Sequence, residues 1–230
     1  MCGRYTLHAN REALSRQFGL DFGEVQPRYN LAPTERIHFV FSNASEARQA
    51  GFVRWGLVPH WSKTGTTETP LFNARSETVL QKPTFKSAFV RGRCLIPASG
   101  WYEWARTELG GKQPYHLRPK EGGPLAFAGL FDVWRGEGEK PLVSCTVLTT
   151  AASDGTAWLH ERMPVVLSYD DYDRWLDRST PDIADLTELL QPYPAGELEI
   201  YPVSTVVNRA KAEGAELIEA VEGTQASERI

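Results

Sequence analysis

The sequence contains no apolar run long enough to span a membrane, and Met1 is not followed by the charged and apolar segments of a secretory signal. Cysteine is scarce: Cys2, Cys94 and Cys145 make an odd number and form no C-x-x-C pair. The five histidines lack the paired spacing of zinc sites. We therefore expect a cytoplasmic or nuclear protein with no transmembrane helix, no disulfide scaffold, no metal and no cofactor.

An excess of positive charge is also missing, since the formal net charge is -4. The total conceals an asymmetry between the two parts of the chain. Residues 1–100 carry thirteen Lys and Arg against seven Asp and Glu, whereas residues 101–230 carry twelve against twenty-two. This distribution excludes a general polyanion binder and favours a local arginine-rich face that grips a few phosphates. Solvated surface charge is the alternative explanation.

The length of 230 residues, with 41% hydrophobic residues, is enough for one domain with a sizeable core. We place this single domain at residues 1–221 and expect a disordered polar tail at 222–230. Predicted strands outnumber predicted helices and follow one another at hairpin-like spacing. The fold class is therefore α+β, with a mainly antiparallel curved sheet or partly closed barrel and flanking helices.

Local signals predict individual elements. Asn10 can cap a helix that buries Leu14 and Phe18 and ends near Gly19. A second helix is expected to open at 73–77, a turn or helix at 83–89, and further helices at 170–176 and 182–190. Strands are expected at 2–7, 37–41, 52–57, 94–97, 100–104, 115–117, 125–134, 142–149 and 198–203. The segment 58–70 is a loop long enough to suggest a function.

Cys2 directly follows the initiator methionine, so removal of Met1 would place an α-amine and a thiol on one residue. Both groups are partly nucleophilic near neutral pH. The amine can condense with an aldehyde to an imine, and the thiol can then close a five-membered thiazolidine. Gly3 leaves room for a bulky partner, and Arg4 adds a permanent positive charge. This pattern predicts capture of an aldehyde on an anionic substrate; the alternative is that Cys2 is a small buried residue of the first strand.

The stretch Gly100-Trp101-Tyr102-Glu103-Trp104 has the period of two that places Trp101 and Glu103 on one face of a strand. A carboxyl group flanked by indoles is desolvated and can keep a proton near neutral pH, as a general acid requires. An exposed Glu103 on an edge strand is the alternative.

Two further pairs combine a polar group with a guanidinium. His160 and Arg162 suggest a proton shuttle next to an anion clamp, although a lone histidine is more often structural. Asn73 and Arg75 suggest an orienting amide next to a phosphate ligand, although Asn73 could simply cap a helix. Four tryptophans could stack on unpaired bases, and we expect only one or two of them to face a ligand: Trp55, Trp61, Trp101 and Trp104.

Seven motifs together resemble the SOS response-associated peptidase (SRAP) family, whose members are abasic-site processing proteins. The resemblance runs in order from Cys2 to about Ile218. Its motifs are Met1-Cys2-Gly3-Arg4-Tyr5, Arg28-Tyr29-Asn30-Leu31-Ala32-Pro33, Trp55-Gly56-Leu57-Val58-Pro59, Asn73-Ala74-Arg75-Ser76-Glu77-Thr78, Gly100-Trp101-Tyr102-Glu103-Trp104, His160-Glu161-Arg162-Met163-Pro164 and Pro202-Val203-Ser204 to Asn208.

The resemblance implies a cytoplasmic, nucleoid-associated monomer that binds single-stranded DNA in a positively charged groove. Mature Cys2 would form a thiazolidine crosslink with the ring-opened sugar of an abasic site and so shield the lesion. The resemblance also assigns roles to other residues. Asn73 would orient the sugar or the amine, Glu103 would assist ring opening and proton transfer, and His160 would shuttle protons. Phosphates would be held by Arg4, Arg75 and Arg162, with Trp61 or Trp104 stacked on a neighbouring base.

Two rival functions stay open at this point. The first is a cysteine peptidase with Cys2 as nucleophile, His160 as base and Glu103 as orienting group, which could remove its own Met1. The second is a non-covalent single-strand DNA-binding module. The imine stage of the crosslinking route also permits β-elimination, so a weak lyase activity is expected as a by-product.

Overall fold

The computed structural model describes residues 2–43, 47–108, 110–179 and 182–222. Within these ranges the strands are β1 (Tyr5–Leu7), β2 (Arg28–Leu31), β3 (Arg36–Ser42), β4 (Arg48–Trp55), β5 (Asn73–Arg75), β6 (Arg93–Ala98), β7 (Gly100–Arg106), β8 (Lys112–Pro119), β9 (Leu125–Trp134), β10 (Leu142–Ala151), β11 (Arg162–Pro164), β12 (Val166–Leu167) and β13 (Leu198–Pro202). The α-helices are α1 (Arg11–Phe18), α2 (Pro83–Arg91), α3 (Tyr172–Leu176) and α4 (Ile183–Glu188). Short 3-10 helices occupy Ser76–Thr78, Tyr169–Asp171, Ala195–Glu197, Thr205–Asn208 and Ala215–Ile218.

Five strands close into a barrel in the order β9, β10, β4, β3 and β6, because β6 pairs back onto β9. The pairings around this barrel are antiparallel except for β4 with β10, which run parallel. The short β5 also lies parallel to β10, whereas β11 and β12 add antiparallel pairings at β10 and β9. Closure leaves fewer unpaired strand edges than an open sheet would have.

A second, antiparallel sheet has the strand order β13, β8, β7, β1 and β2. Aromatic contacts join its inner face to the barrel: the Tyr5 ring lies 5.3 Å from Trp55 and 5.9 Å from Phe127. Trp101 also packs on Phe127, at 6.0 Å between ring centroids. β1, which lies between β7 and β2 in its sheet, therefore packs against the barrel core.

The outer face of the second sheet is covered by the C-terminal segment. Tyr102 packs there in a separate buried cluster with Val203, Val207 and Leu217. Alternation along β7 therefore divides its side chains as the sequence predicts, with Trp101 and Tyr102 in different clusters.

Most predicted elements are confirmed. The Asn10 side chain accepts a hydrogen bond from the Ala13 amide, and Gly19 ends α1 in the left-handed region at φ 68°. Within the described ranges no helix is long and apolar enough to cross a membrane. The tail predicted to be disordered at 222–230 lies, except for Glu222, outside the described residues.

The helix expected to open at 73–77 is wrong. Asn73–Arg75 is the strand β5, and a 3-10 helix follows it at Ser76–Thr78. The physical reason is a non-local pairing, since Val147 of β10 lies opposite Asn73 and Thr149 lies opposite Arg75. Strand pairing across the barrel overrides the helical preference of the local sequence.

Candidate active site at the N-terminus

Cys2 lies immediately before β1 and is completely buried. Its Sγ is 4.0 Å from the carbonyl oxygen of Arg4. Burial raises the pKa of the Cys2 thiol, and the nearby Glu103 carboxylate raises it further. Since the charged form is disfavoured by both effects, Cys2 keeps its thiol proton at neutral pH.

Glu103 comes from β7, the strand next to β1. The Tyr102 amide donates to the carbonyl oxygen of Arg4 at 3.0 Å, which extends the pairing of the two strands towards Cys2. Glu103 is only 3% exposed, and burial raises its pKa to about 7. The predicted desolvated carboxyl group is therefore confirmed, and it can both donate and accept a proton near neutral pH.

Asn73 connects the barrel to the N-terminus. Its Nδ2 donates a hydrogen bond to the carbonyl oxygen of Cys2 at 2.8 Å. Its Oδ1 is buried and accepts no hydrogen bond from any described residue. The amide therefore fixes the backbone of Cys2 with one end and keeps an acceptor at the other, where a ligand amine or hydroxyl could bind.

His160 lies in the loop between β10 and β11. Its Nδ1 accepts a hydrogen bond from the Arg162 amide at 2.9 Å, so the neutral ring carries its hydrogen on Nε2. The same loop packs against the second sheet through Trp158, whose ring meets Tyr115 edge-on at 5.1 Å. Tyr115 is the cross-strand partner of Glu103, and such partners share one face of a sheet. The His160 loop is thereby attached to the face that carries Glu103.

The three predicted phosphate ligands have different environments. Arg75 is exposed. Arg4 is partly buried, and its Nη1 donates to Asn30 Oδ1 at 2.9 Å and to the carbonyl oxygen of Val207 at 3.0 Å.

Arg162 forms a two-pronged ion pair with Glu77. Its Nη1 is 2.6 Å from Glu77 Oε1, its Nη2 is 2.9 Å from Glu77 Oε2, and Nη2 also donates to the carbonyl oxygen of Thr149 at 2.6 Å. The side chain of Arg162 is 9% exposed. The guanidinium of Arg162 thus ties the strand after His160 to the segment after Arg75.

The four candidate tryptophans separate by exposure. Trp55 and Trp101 are fully buried core residues, whereas Trp61 is 55% exposed. Trp104 is partly buried and donates from Nε1 to Asn208 Oδ1 at 2.7 Å. Trp61 is therefore the tryptophan of this set with the most surface free for a base.

Sequence reasoning missed the groups that hold the loop around Trp61. Asp132 Oδ2 accepts from the His60 amide and also contacts His60 Nδ1, each at 2.8 Å. Trp134 Nε1 donates to the carbonyl oxygen of Ser62 at 2.7 Å. Both partners lie some seventy residues further along the chain, at the end of β9, and no local pattern marks them. Glu77, the partner of Arg162, was missed for the same reason.

Metal binding has no obvious site in this part of the molecule. Across the ranges that the structure describes, no three His, Cys, Asp or Glu side chains are grouped so that they could hold an ion. The side chains of Cys2, Glu103, Asn73 and His160 offer thiol, carboxyl, amide and imidazole groups.

Comparison with known proteins gives a consistent assignment. Residues 1–210 match the family model described as SOS response associated peptidase (SRAP). The chain is 39% identical to the abasic site processing protein YoaM of Bacillus subtilis, over 96% of this chain and 98% of that protein. It is 32% identical to the abasic site processing protein HMCES of Gallus gallus, over 87% of this chain and 68% of that protein.

Solved structures share the architecture. A protein of Bacteroides thetaiotaomicron superposes with a TM-score of 0.82, covering 96% of this chain and all of that one, at 21% identity. A phage-related protein of Bordetella bronchiseptica superposes with a TM-score of 0.72, covering 88% of this chain and 94% of that one, at 31% identity. These likenesses support the α+β fold with its closed barrel.

Proposed function

The chain belongs to the SOS response associated peptidase (SRAP) family, and from that premise we propose that it processes abasic sites in DNA by covalent capture through mature Cys2. The observation that carries the proposal is the convergence of two side chains on one residue. Cys2 is held by the Asn73 amide and lies beside the Glu103 carboxyl group, whose pKa of about 7 suits proton transfer in both directions.

The proposed reaction begins with the α-amine that removal of Met1 exposes. This amine attacks the aldehyde of the ring-opened sugar and gives a carbinolamine. Protonated Glu103 donates its proton to the carbinolamine hydroxyl, which leaves as water, and an iminium ion and a carboxylate form. The sulfur of Cys2 then bonds to the iminium carbon while the carboxylate takes up the thiol proton. A neutral thiazolidine and protonated Glu103 result, so one water is lost overall.

The raised pKa of the Cys2 thiol fits this order of events. A thiol that keeps its proton is a poor nucleophile towards other electrophiles. In the proposed reaction it loses this proton only to the Glu103 carboxylate, as the carbon–sulfur bond forms. A peptidase nucleophile needs the opposite, a lowered thiol pKa. This contrast favours crosslinking over general peptide hydrolysis.

The remaining residues have supporting roles in the proposal. Asn73 orients the Cys2 backbone and offers Oδ1 to the amine or the sugar hydroxyl. His160, with its hydrogen on Nε2, passes protons between the sugar and solvent. Exposed Arg75 holds a phosphate of single-stranded DNA, and exposed Trp61 stacks on an unpaired base.

Arg4, Arg162 and Trp104 act differently from the exposed ligands. Their polar atoms already contact Asn30, Glu77 and Asn208 respectively, so we assign them to shaping the DNA groove. The imine stage also allows β-elimination at the sugar, which gives a weak lyase activity when closure of the thiazolidine is prevented.

The test is the intact mass of the matured protein after incubation with a single strand containing one abasic site. The expected product survives denaturation and has the summed mass of protein and DNA less one water. The matched control keeps one additional residue before Cys2, so the thiol remains but the α-amine does not. A peptidase would still hydrolyse peptides with the additional residue in place, because it needs only the thiol. A non-covalent binder would give no adduct with either protein. Absence of the adduct with the matured form would refute the proposal.

A further inference from the structure

A cavity of about 210 Å³ has no role in the chemistry above. Its lining includes Thr34, Arg54, Gly56, Thr66, Thr67 and Leu71. The walls therefore come from the end of β4, from the turn after β2 and from the loop that follows Trp61.

The lining mixes polar and apolar residues, and its one charged side chain is that of Arg54. Arg54 Nη1 donates to the carbonyl oxygen of Gly56 at 3.1 Å, which anchors the guanidinium, and its other N–H groups have no hydrogen-bond partner within the described residues. Exposed Arg36 is the cross-strand partner of Arg54 and adds a second positive charge on the same face. The nearest acidic residue along the loop, Glu68, is exposed and does not line the cavity.

The backbone links one wall of the cavity to the residue that holds Cys2. Leu71 precedes Asn73 by two residues, which is about 7 Å of extended chain. The Leu57 amide donates to the carbonyl oxygen of Leu71 at 3.1 Å, and Trp55 Nε1 donates to the carbonyl oxygen of Phe72 at 2.8 Å. These bonds fix the cavity relative to the amide that holds Cys2.

The loop that forms one wall also presents Trp61. Asp132 and Trp134 hold this loop through His60 and Ser62, and a Cβ at Gly65 would lie 2.7 Å from the Trp134 ring. Trp61 and one wall of the cavity therefore belong to the same loop, which these contacts hold in place.

We propose that this cavity is a phosphate subsite for the DNA strand, in which Arg54 holds a backbone phosphate of a nucleotide flanking the lesion. The hydroxyl group of Thr67 supplies a further donor. The inference rests on the proposed DNA-processing function, because it extends the same binding surface beyond the reacting sugar.

The test measures non-covalent binding, so that it does not depend on crosslinking. Cys2→Ala protein is titrated with an undamaged fluorescent single strand over a series of salt concentrations. Addition of Arg54→Ala is expected to lower the salt slope by about 0.7, the value for one single-strand phosphate contact. Arg54→Lys keeps the charge and the slope. Arg16→Ala removes an exposed arginine of α1 and serves as the matched control, with no change expected.

A second arm locates the subsite along the strand. Strands extended from the abasic position in only the 5′ or only the 3′ direction are compared, and the Arg54→Ala effect is expected with one series alone. Thr67→Val removes a hydroxyl with little change of shape and should weaken binding in the same series. An unchanged slope, or an equal effect on both series, would show a general surface charge and overturn the proposal. Loss of the crosslink with a normal Arg54 effect would instead count against the Cys2 chemistry alone.

Discussion

Asn73 Nδ2 and the carbonyl oxygen of Cys2 are 2.8 Å apart, although 71 residues separate them in the sequence. Asn73 opens a strand of the barrel assembly, whereas Cys2 leads into the second sheet. One hydrogen bond therefore connects Cys2, the residue proposed to react, to strand β5 beside the barrel. The expected effects of changing this site follow from that connection.

Asn73→Ala should slow crosslinking about fivefold, because the loss of one well-placed hydrogen bond is worth about 1 kcal/mol and the Cys2 backbone would no longer be fixed. The measurement is the single-turnover rate of adduct formation at saturating DNA, which removes any effect on binding. A normal rate in a folded variant would show that Asn73 supports only the structure.

Glu103→Gln should change how stability depends on pH. In the native protein the pKa of Glu103 is raised from 4.5 to about 7 by burial, so the folded state binds its proton more tightly than the unfolded state. The free energy of unfolding should therefore fall as pH rises between these two values. The Gln variant lacks this fall, and above about pH 8 it should be the more stable protein by on the order of 3 kcal/mol.

Urea unfolding at acidic and alkaline pH measures this difference. The same variant should lose most crosslinking activity, since an amide cannot donate and recover the proton. If the free energy of unfolding of the two proteins depended equally on pH, Glu103 would be ionised in the folded state near neutral pH. It could then not act as the proposed general acid.

The Cys2 thiol should react slowly with alkylating reagents in the folded protein. Burial raises its pKa, as it does for Cys94 and Cys145, so little thiolate exists at neutral pH. Peptide mapping by mass spectrometry after brief alkylation compares the three cysteines in one sample. All three should be modified rapidly only after unfolding. Rapid and selective modification of Cys2 would instead support the peptidase alternative.

His160 can be tested with a pair of variants that separate structure from chemistry. His160→Asn offers a side-chain acceptor for the Arg162 amide, whereas His160→Ala does not. If His160 moves protons, both variants should slow formation or reversal of the adduct to a similar extent. Recovery of normal kinetics by Asn alone would identify a positioning role.

Arg75 and Arg162 should respond in opposite ways. Arg75→Ala should lower the salt slope of single-strand binding by about 0.7 and leave stability unchanged, because Arg75 is exposed. Arg162→Ala should lower the free energy of unfolding by about 2 kcal/mol, because it removes a buried hydrogen bond to Thr149 and partly buried hydrogen bonds to Glu77. Salt titration and urea unfolding of both variants check the assignment. A reduced salt slope in a stable Arg162→Ala protein would show that Arg162 does bind a DNA phosphate.

Local sequence signals were sufficient for much of the fold. The capped helix α1 follows from Asn10 and Gly19, and the ten-residue strand β9 has the predicted bounds Leu125–Trp134. The period of two at Trp101 and Glu103 also predicted the desolvated carboxyl group. These features depend on neighbours within a few residues, so the sequence alone contains their causes.

Features that depend on distant pairing could not be predicted. The strand at Asn73–Arg75 forms because β10 lies beside it, and the local sequence instead suggested a helix. The ion pair of Arg162 with Glu77 and the cavity around Arg54 also require segments that are far apart in the chain. The motif positions alone did not indicate which arginines have unused donors.

The hydrogen bond between Asn73 and Cys2 spans the boundary between the two sheets. Its geometry consequently depends on how the sheets dock, and neither sheet could maintain it alone. We expect a partial separation of the sheets to misplace the nucleophile before the secondary structure of either one is lost. Reactivity at the terminus should therefore disappear earlier on heating than the far-ultraviolet signal of the strands.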